Sequence, residues 1–155
     1  MTKERLFSEL LGEIEGLVSS QGEGNALLER VCGLLKERVE SYDWVGFYLV
    51  DVERERELVL GPFAGEPTDH KRIRFGQGIC GQAADLLKVF IVADVTKESN
   101  YLSCNARVRS EIVIPLFRGE TLVGELDIDS HLPDPFDEKD RLFLEKVGAL
   151  VVPLL

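Results

Sequence analysis

Residues 111–130, EIVIPLFR-GE-TLVGELDIDS, constrain the fold most. Two long apolar runs are separated by only Gly119-Glu120, and two such runs with a glycine-led two-residue connection read as a tight antiparallel hairpin. Strand side chains alternate faces, so Asp127 and Asp129 point to one side and Leu126 and Ile128 to the other. Glu111 heads the first run. Like charges on one face of an apolar strand repel each other and lose hydration. Either that face is wet, or the acids belong to a site. Cys80 and Cys104 lie with these acids in the wider stretch from Cys80 to Asp129, which favours a site.

The flanks supply the rest of the architecture. Residues 2–19 carry Leu6, Leu10, Ile14 and Leu17 at helical spacing. Gln21-Gly22-Glu23-Gly24 breaks that helix, and Asn25 is the expected N-cap of a second one over residues 25–41, with Leu28, Val31, Cys32, Leu35 and Val39 along one side. Strand patterns follow at 44–51, 57–63 and 71–75. A short helix is expected from about Ile79, and a further strand at 89–94. Residues 95–109 read as a polar loop or short helical piece. After the hairpin and a proline-rich break, Asp137 is placed to cap a closing helix whose buried face carries Leu142, Phe143, Val147 and Leu150. This order predicts an α+β domain with a central, mainly antiparallel six-stranded sheet, helices packed on one face and a pocket on the other. The 155 residues fit one domain, with helices over 1–41 and sheet, pocket and closing helix over 43–155.

Composition limits the partners. Net charge is −10, which disfavours nucleic acid and anionic membrane surfaces. The best basic cluster, His70, Lys71, Arg72 and Arg74, is small. No apolar run approaches the roughly 20 residues of a membrane span, and the N-terminus lacks signal-peptide features, so a cytoplasmic protein is expected. Three cysteines in a reducing compartment are expected as thiols, and a disulfide between any two would be transient and catalytic.

The thiols differ in setting. Cys32 belongs to a helical apolar stripe and reads as a buried structural thiol. Cys80 stands near a helix start, where the dipole would lower its pKa, but a small buried packing residue fits the same position. Cys104 sits in the polar loop SNYLSCNARVRS near Arg107 and Arg109, a setting that favours thiolate. Gly76-Gln77-Gly78-Ile79-Cys80-Gly81 spells the dinucleotide-binding pattern G-x-G-x-x-G, with Asp94 at a suitable distance. The helix that follows is too short for a parallel crossover, so the glycines read as a tight turn into a helix. Trp44, Phe47 and Tyr48 cluster on the first strand, where spacing alone makes them core.

Taken together, DWVGFYLV, ELVLGPFAG, RIRFGQGICGQA, VADV, SEIVIPL and ELDIDS resemble a GAF domain, and more narrowly the free methionine-(R)-sulfoxide reductases. The likeness runs from about Asp43 to the end and takes in the N-terminal helices more loosely. It implies a catalytic role for Cys104 and a disulfide between it and Cys80. It implies substrate-site roles for the carboxylates Glu111, Asp127 and Asp129, with Trp44 and Tyr48 lining the pocket. No bound cofactor is implied. The reductant would be an external dithiol, with thioredoxin the expected partner, and a homodimer is implied by analogy. The family often has a further cysteine ten residues before its G-x-C-G cysteine; this chain has His70 there. The other reading is a GAF sensor that binds a small molecule without chemistry, which would not require the pair Cys80 and Cys104.

Overall fold

The computed structural model describes residues 1–102 and 105–155. Two helices, α1 (Lys3–Val18) and α2 (Gly24–Arg38), precede β1 (Trp44–Val50), β2 (Glu57–Ala64) and β3 (Arg72–Arg74). A short helix α3 (Gly78–Leu86) leads to β4 (Phe90–Val92), then β5 (Ser110–Arg118), β6 (Thr121–Ser130) and the closing helix α4 (Glu138–Val151). The strands form one sheet in the order β3-β2-β1-β6-β5-β4, with every neighbouring pair antiparallel. An antiparallel sheet has no parallel crossover on which a dinucleotide fold could be built. Among the described residues, no helix is long and apolar enough to cross a membrane.

The expected hairpin is the centre of this sheet. Arg118 pairs with Thr121 across Gly119-Glu120, and Gly119 takes φ +65, as a glycine-first two-residue turn requires. On the far face from the acids, Leu126, Ile128, Ile112 and Ile114 pack with Leu10, Ile14, Leu28, Val31, Leu35, Phe143 and Val147 from α1, α2 and α4. Cys32 is fully buried in this core, as its stripe predicts. The α1 stripe is rotated slightly from expectation: Phe7 is buried, while Leu6 and Leu17 are half-buried. In α4, Leu142 faces solvent instead of the core, and Leu144 takes the buried place.

Several boundaries differ from the sequence reading. The second helix begins one residue before Asn25, so the residue at its N-cap is Glu23, with no side-chain cap. It ends at Arg38 because Val39 adopts extended backbone. The strand expected over 89–94 shrinks to three residues. Asp137 caps α4 as expected: its side chain accepts from the amides of Lys139 and Asp140, and Asp140 reciprocates to its amide.

The helices α1, α2 and α4 cover one face. The fourth helix, α3, lies against β5 and β6 on the other, with Ile79, Cys80, Ala83 and Ala84 in a second core beside Trp44, Tyr48, Leu58, Ile73 and Val113. Its entry turn needs positive φ at Gly76 (+88) and Gly78 (+66). The pocket face therefore has a floor of β-strand acids and a partial roof of helix.

Candidate active site

Strand register assembles the site. Glu111 on β5 pairs with Asp129 on β6, and Asp129 pairs in turn with Trp44 on β1. One step along the same face, Val113 pairs with Asp127 and Asp127 with Gly46; the next row is Pro115, Glu125 and Tyr48. Period-two alternation thus puts Trp44, Tyr48, Glu111, Asp127 and Asp129 on one face across three adjacent strands. Phe47 has the opposite parity and packs among the helices. The aromatic trio is split by the sheet.

Glu125 is on that face too, and the sequence reading missed it. It is fully buried. The signal was present, since residues 125, 127 and 129 share parity, but a single glutamate next to an apolar run attracts no notice alone. Four carboxylates, Glu111, Glu125, Asp127 and Asp129, are buried together. Among the described residues, both oxygens of Glu125 and Oδ1 of each aspartate have no hydrogen-bond partner.

Such a cluster has direct electrostatic consequences. Burial raises the pKa of Glu125 well above the ordinary carboxylate range, the charge of Asp127 adds to this, and Cys80 acts the other way. Asp129 is raised well above its usual value by burial and by Asp127, and Asp127 is itself raised by burial. Burial and mutual repulsion therefore favour the protonated form of these acids.

Cys80 is the third residue of α3, and its thiol points at the acids: Sγ donates to Glu111 Oε2 at 3.9 Å. Only 4% of Cys80 is exposed. Burial pushes its pKa well up, and Asp127, Glu111, Glu125 and Asp129 push the same way. The dipole argument for an activated Cys80 thiolate is overturned, because four carboxylates outweigh one short helix's partial charge. Cys80 rests as a thiol. Cys104 lies outside the described residues. Leu102 lines the inner cavity and Asn105 the outer one.

Those cavities differ greatly in size. The inner one, among Tyr48, His70, Cys80, Leu102, Glu111 and Asp127, holds about 10 Å³. The outer one, about 650 Å³, is bounded by Trp44, Asp129, Asp43, Glu66, Arg107 and His131. That volume is ordinary for a small-molecule site. Trp44 is fixed by its indole N–H donating to Glu66 O at 3.0 Å and by stacking on Phe63. Tyr48 donates its hydroxyl to His70 O at 2.8 Å. At the rim, Arg107 is paired with Glu66.

A GAF domain family model matches residues 25–155. The chain is 36% identical to a Saccharomyces cerevisiae free methionine-R-sulfoxide reductase over 157 residues, covering 97% of this chain and 86% of that protein. The chain belongs to the GAF family of the free methionine-R-sulfoxide reductases. A Dictyostelium discoideum GAF domain-containing protein A is 42% identical over 150 residues, 97% of this chain and 92% of that one. The fold agrees in detail with the X-ray structure of the Neisseria meningitidis free methionine-R-sulfoxide reductase in complex with its substrate. That likeness has a TM-score of 0.93 at 39% identity and covers 99% of this chain and 90% of the other. This membership makes the chain an oxidoreductase domain.

Proposed function

We propose that this chain reduces free L-methionine-(R)-sulfoxide to L-methionine with Cys104 as nucleophile and Cys80 as resolving thiol. The observation that carries the reading is the row of Trp44, Asp129 and Glu111 across three strands, with Asp127 beside it, a buried acidic floor walled by an aromatic ring. Free methionine sulfoxide brings an ammonium group, the natural partner of such acids, and a side chain whose methyl suits an aromatic wall. Acids with raised pKa values can also deliver protons to the sulfoxide oxygen.

The Cys104 thiolate attacks the sulfoxide sulfur while the acid cluster gives one proton to the sulfoxide oxygen. The S–O bond to methionine breaks, the hydroxyl passes to the Cys104 sulfur as a sulfenic acid, and methionine leaves reduced by two electrons. The Cys80 thiol condenses with it, forming the disulfide and releasing water. An external dithiol, thioredoxin by family likeness, then reopens the disulfide and restores both thiols. Cys80 rests protonated, so it must give up its proton as it attacks the Cys104 sulfenic acid. His70 stands where many relatives carry a third cysteine, so the relay in this chain uses two thiols, and Cys32 is walled off in the opposite core. A homodimer is part of the proposed assembly and is read by light scattering.

The deciding experiment is turnover of free methionine-(R)-sulfoxide with a thioredoxin system, followed by single-turnover methionine release from the thiol variants. Cys104→Ser should release none. Cys80→Ser should release about one equivalent and then stall. Ligand binding without loss of thiols would support the sensor reading instead.

A further inference from the structure

We propose that Asn100 is a positioning residue for the disulfide-forming step: its side-chain amide fastens the chain leading into Cys104 to the entry turn of α3, the helix that carries Cys80. This role rests on the thiol roles proposed above. Asn100 precedes Cys104 by four residues, and Gly78 precedes Cys80 by two. Asn100 Oδ1 accepts from the Gly78 amide at 2.9 Å, and Nδ2 donates to Gly76 O at 2.7 Å. From the helix side, Gln82 Nε2 donates to Asn100 O at 3.0 Å and to Gly78 O at 2.9 Å. Leu102 packs on the same turn: a Cβ at Gly78 would meet its Cγ at 2.8 Å.

The residue type fits the place. The first amides of a helix lack acceptors within the helix. Gln77, at the N-cap of α3, makes no side-chain bond to them. Asn100 supplies, from another part of the chain, an acceptor that the cap residue does not. The turn presents an N–H at Gly78 and a carbonyl at Gly76, and an asparagine amide offers a donor and an acceptor side by side to match them.

Separate anchors serve the two chemical steps. The acids and Trp44 that would receive the substrate are placed by strand register on β1, β5 and β6. The Asn100 clasp acts on α3. In the closing step the Cys80 sulfur attacks the sulfenic sulfur of Cys104. An S–S bond forms, the S–O bond breaks, and the hydroxyl leaves with the thiol proton as water. That product requires Cα atoms about 4.4–6.8 Å apart and a narrow range of dihedral angle. Misplacement by about 1 Å in such a step costs up to about 10²-fold in rate. Loss of the clasp should therefore slow disulfide closure and spare methionine release.

The test follows both steps in the reduced full chain mixed with free methionine-(R)-sulfoxide. Methionine release and the Cys80–Cys104 disulfide are read against time, with dimedone trapping the sulfenic acid in parallel. Asn100→Ala should release methionine within about twofold of the parent's rate, close the disulfide about tenfold or more slower, and accumulate trapped sulfenic acid. Gln82→Met keeps the length of the side chain and loses its donor, so it should slow the same step. A merely structural residue would lower Tm and slow both steps together. That result, unchanged closure in either variant, or slowing confined to methionine release would each overturn the proposal. A second arm replaces the sulfoxide with hydrogen peroxide, which oxidises the Cys104 thiol to the same sulfenic acid and releases water. The same closure defect is expected there. A parent that releases no methionine, with the closure defect of Asn100→Ala kept under peroxide, would sink the reductase reading and support the clasp. A parent that forms no Cys80–Cys104 disulfide under peroxide would overturn the clasp.

Discussion

A methyl group added at Gly46 tests the aromatic wall most directly. Gly46 lies on the site face of β1, between Trp44 and Tyr48 and opposite Asp127. A Cβ there would meet Trp44 Cη2 at 2.3 Å and Cζ3 at 2.7 Å, with Phe63 Cβ at 2.9 Å. Carbon atoms pack at about 3.5–4.0 Å, so the indole must retreat by more than about 1 Å. It has little freedom to do so. Its N–H is held by Glu66 O, and its ring stacks on Phe63 with centroids 5.6 Å apart. Overpacking of this kind costs about 1–3 kcal/mol. For a chain of this size each kcal/mol lowers Tm by about 2–4 °C, so Gly46→Ala should melt roughly 2–12 °C below the parent. An ångström of misplacement at the wall should also lower kcat/KM by up to about 10²-fold. Trp44 is the only tryptophan, so its fluorescence reports on the site without labels. Unchanged melting, emission and kinetics in this variant would refute the packing argument.

Replacing Glu125 by glutamine should change how stability depends on pH. The folded carboxyl holds its proton above the ordinary value of 4.5, so its favourable contribution is complete below that value and is lost as pH rises through the raised folded one. The Tm difference between Glu125→Gln and the parent should therefore grow in the variant's favour as pH rises above 4.5; a difference independent of pH would contradict the burial account. N-acetyl methionine sulfoxide lacks the ammonium, and losing a charge partner to desolvated carboxylates costs about 2–5 kcal/mol, a drop of roughly 30- to several-thousand-fold in kcat/KM. Equal rates on free and acetylated substrate would remove the acids from substrate binding. Tyr42 donates to the fully buried Asp140 at 2.8 Å, so Tyr42→Phe should destabilise the chain by about 1.5–3 kcal/mol in urea titration without altering KM.

The features that sequence made legible are those governed by local period. The β5–β6 hairpin, its two-residue turn and the shared face of Asp127 and Asp129 follow from alternation, and the structure bears them out. Cys32 could be placed in the core because its helix repeats an apolar stripe. Other features depend on parts of the chain far apart in sequence. Cys80 near a helix start invites an argument from the dipole, yet its protonation is governed by acids on β5 and β6 that only folding brings to it. Nine residues of α3 are too few for periodicity to say which sheet face it covers. Glu125 shows a different difficulty. Its parity was readable, but whether a carboxylate on a sheet face is wet or buried depends on the helix laid over it.

The sheet also ends abruptly. Its two outermost strands, β3 and β4, have three residues each, while β5 and β6 have nine and ten. An outer strand with free amides and carbonyls is a template for another chain, and its strength grows with length. Of these two long strands only β6 is paired along both sides; β4 covers residues 111–113 of β5 and leaves residues 114–118 with one open edge. Fibrillar growth by strand addition should thus begin at that stretch of β5, without prior loss of an outer strand.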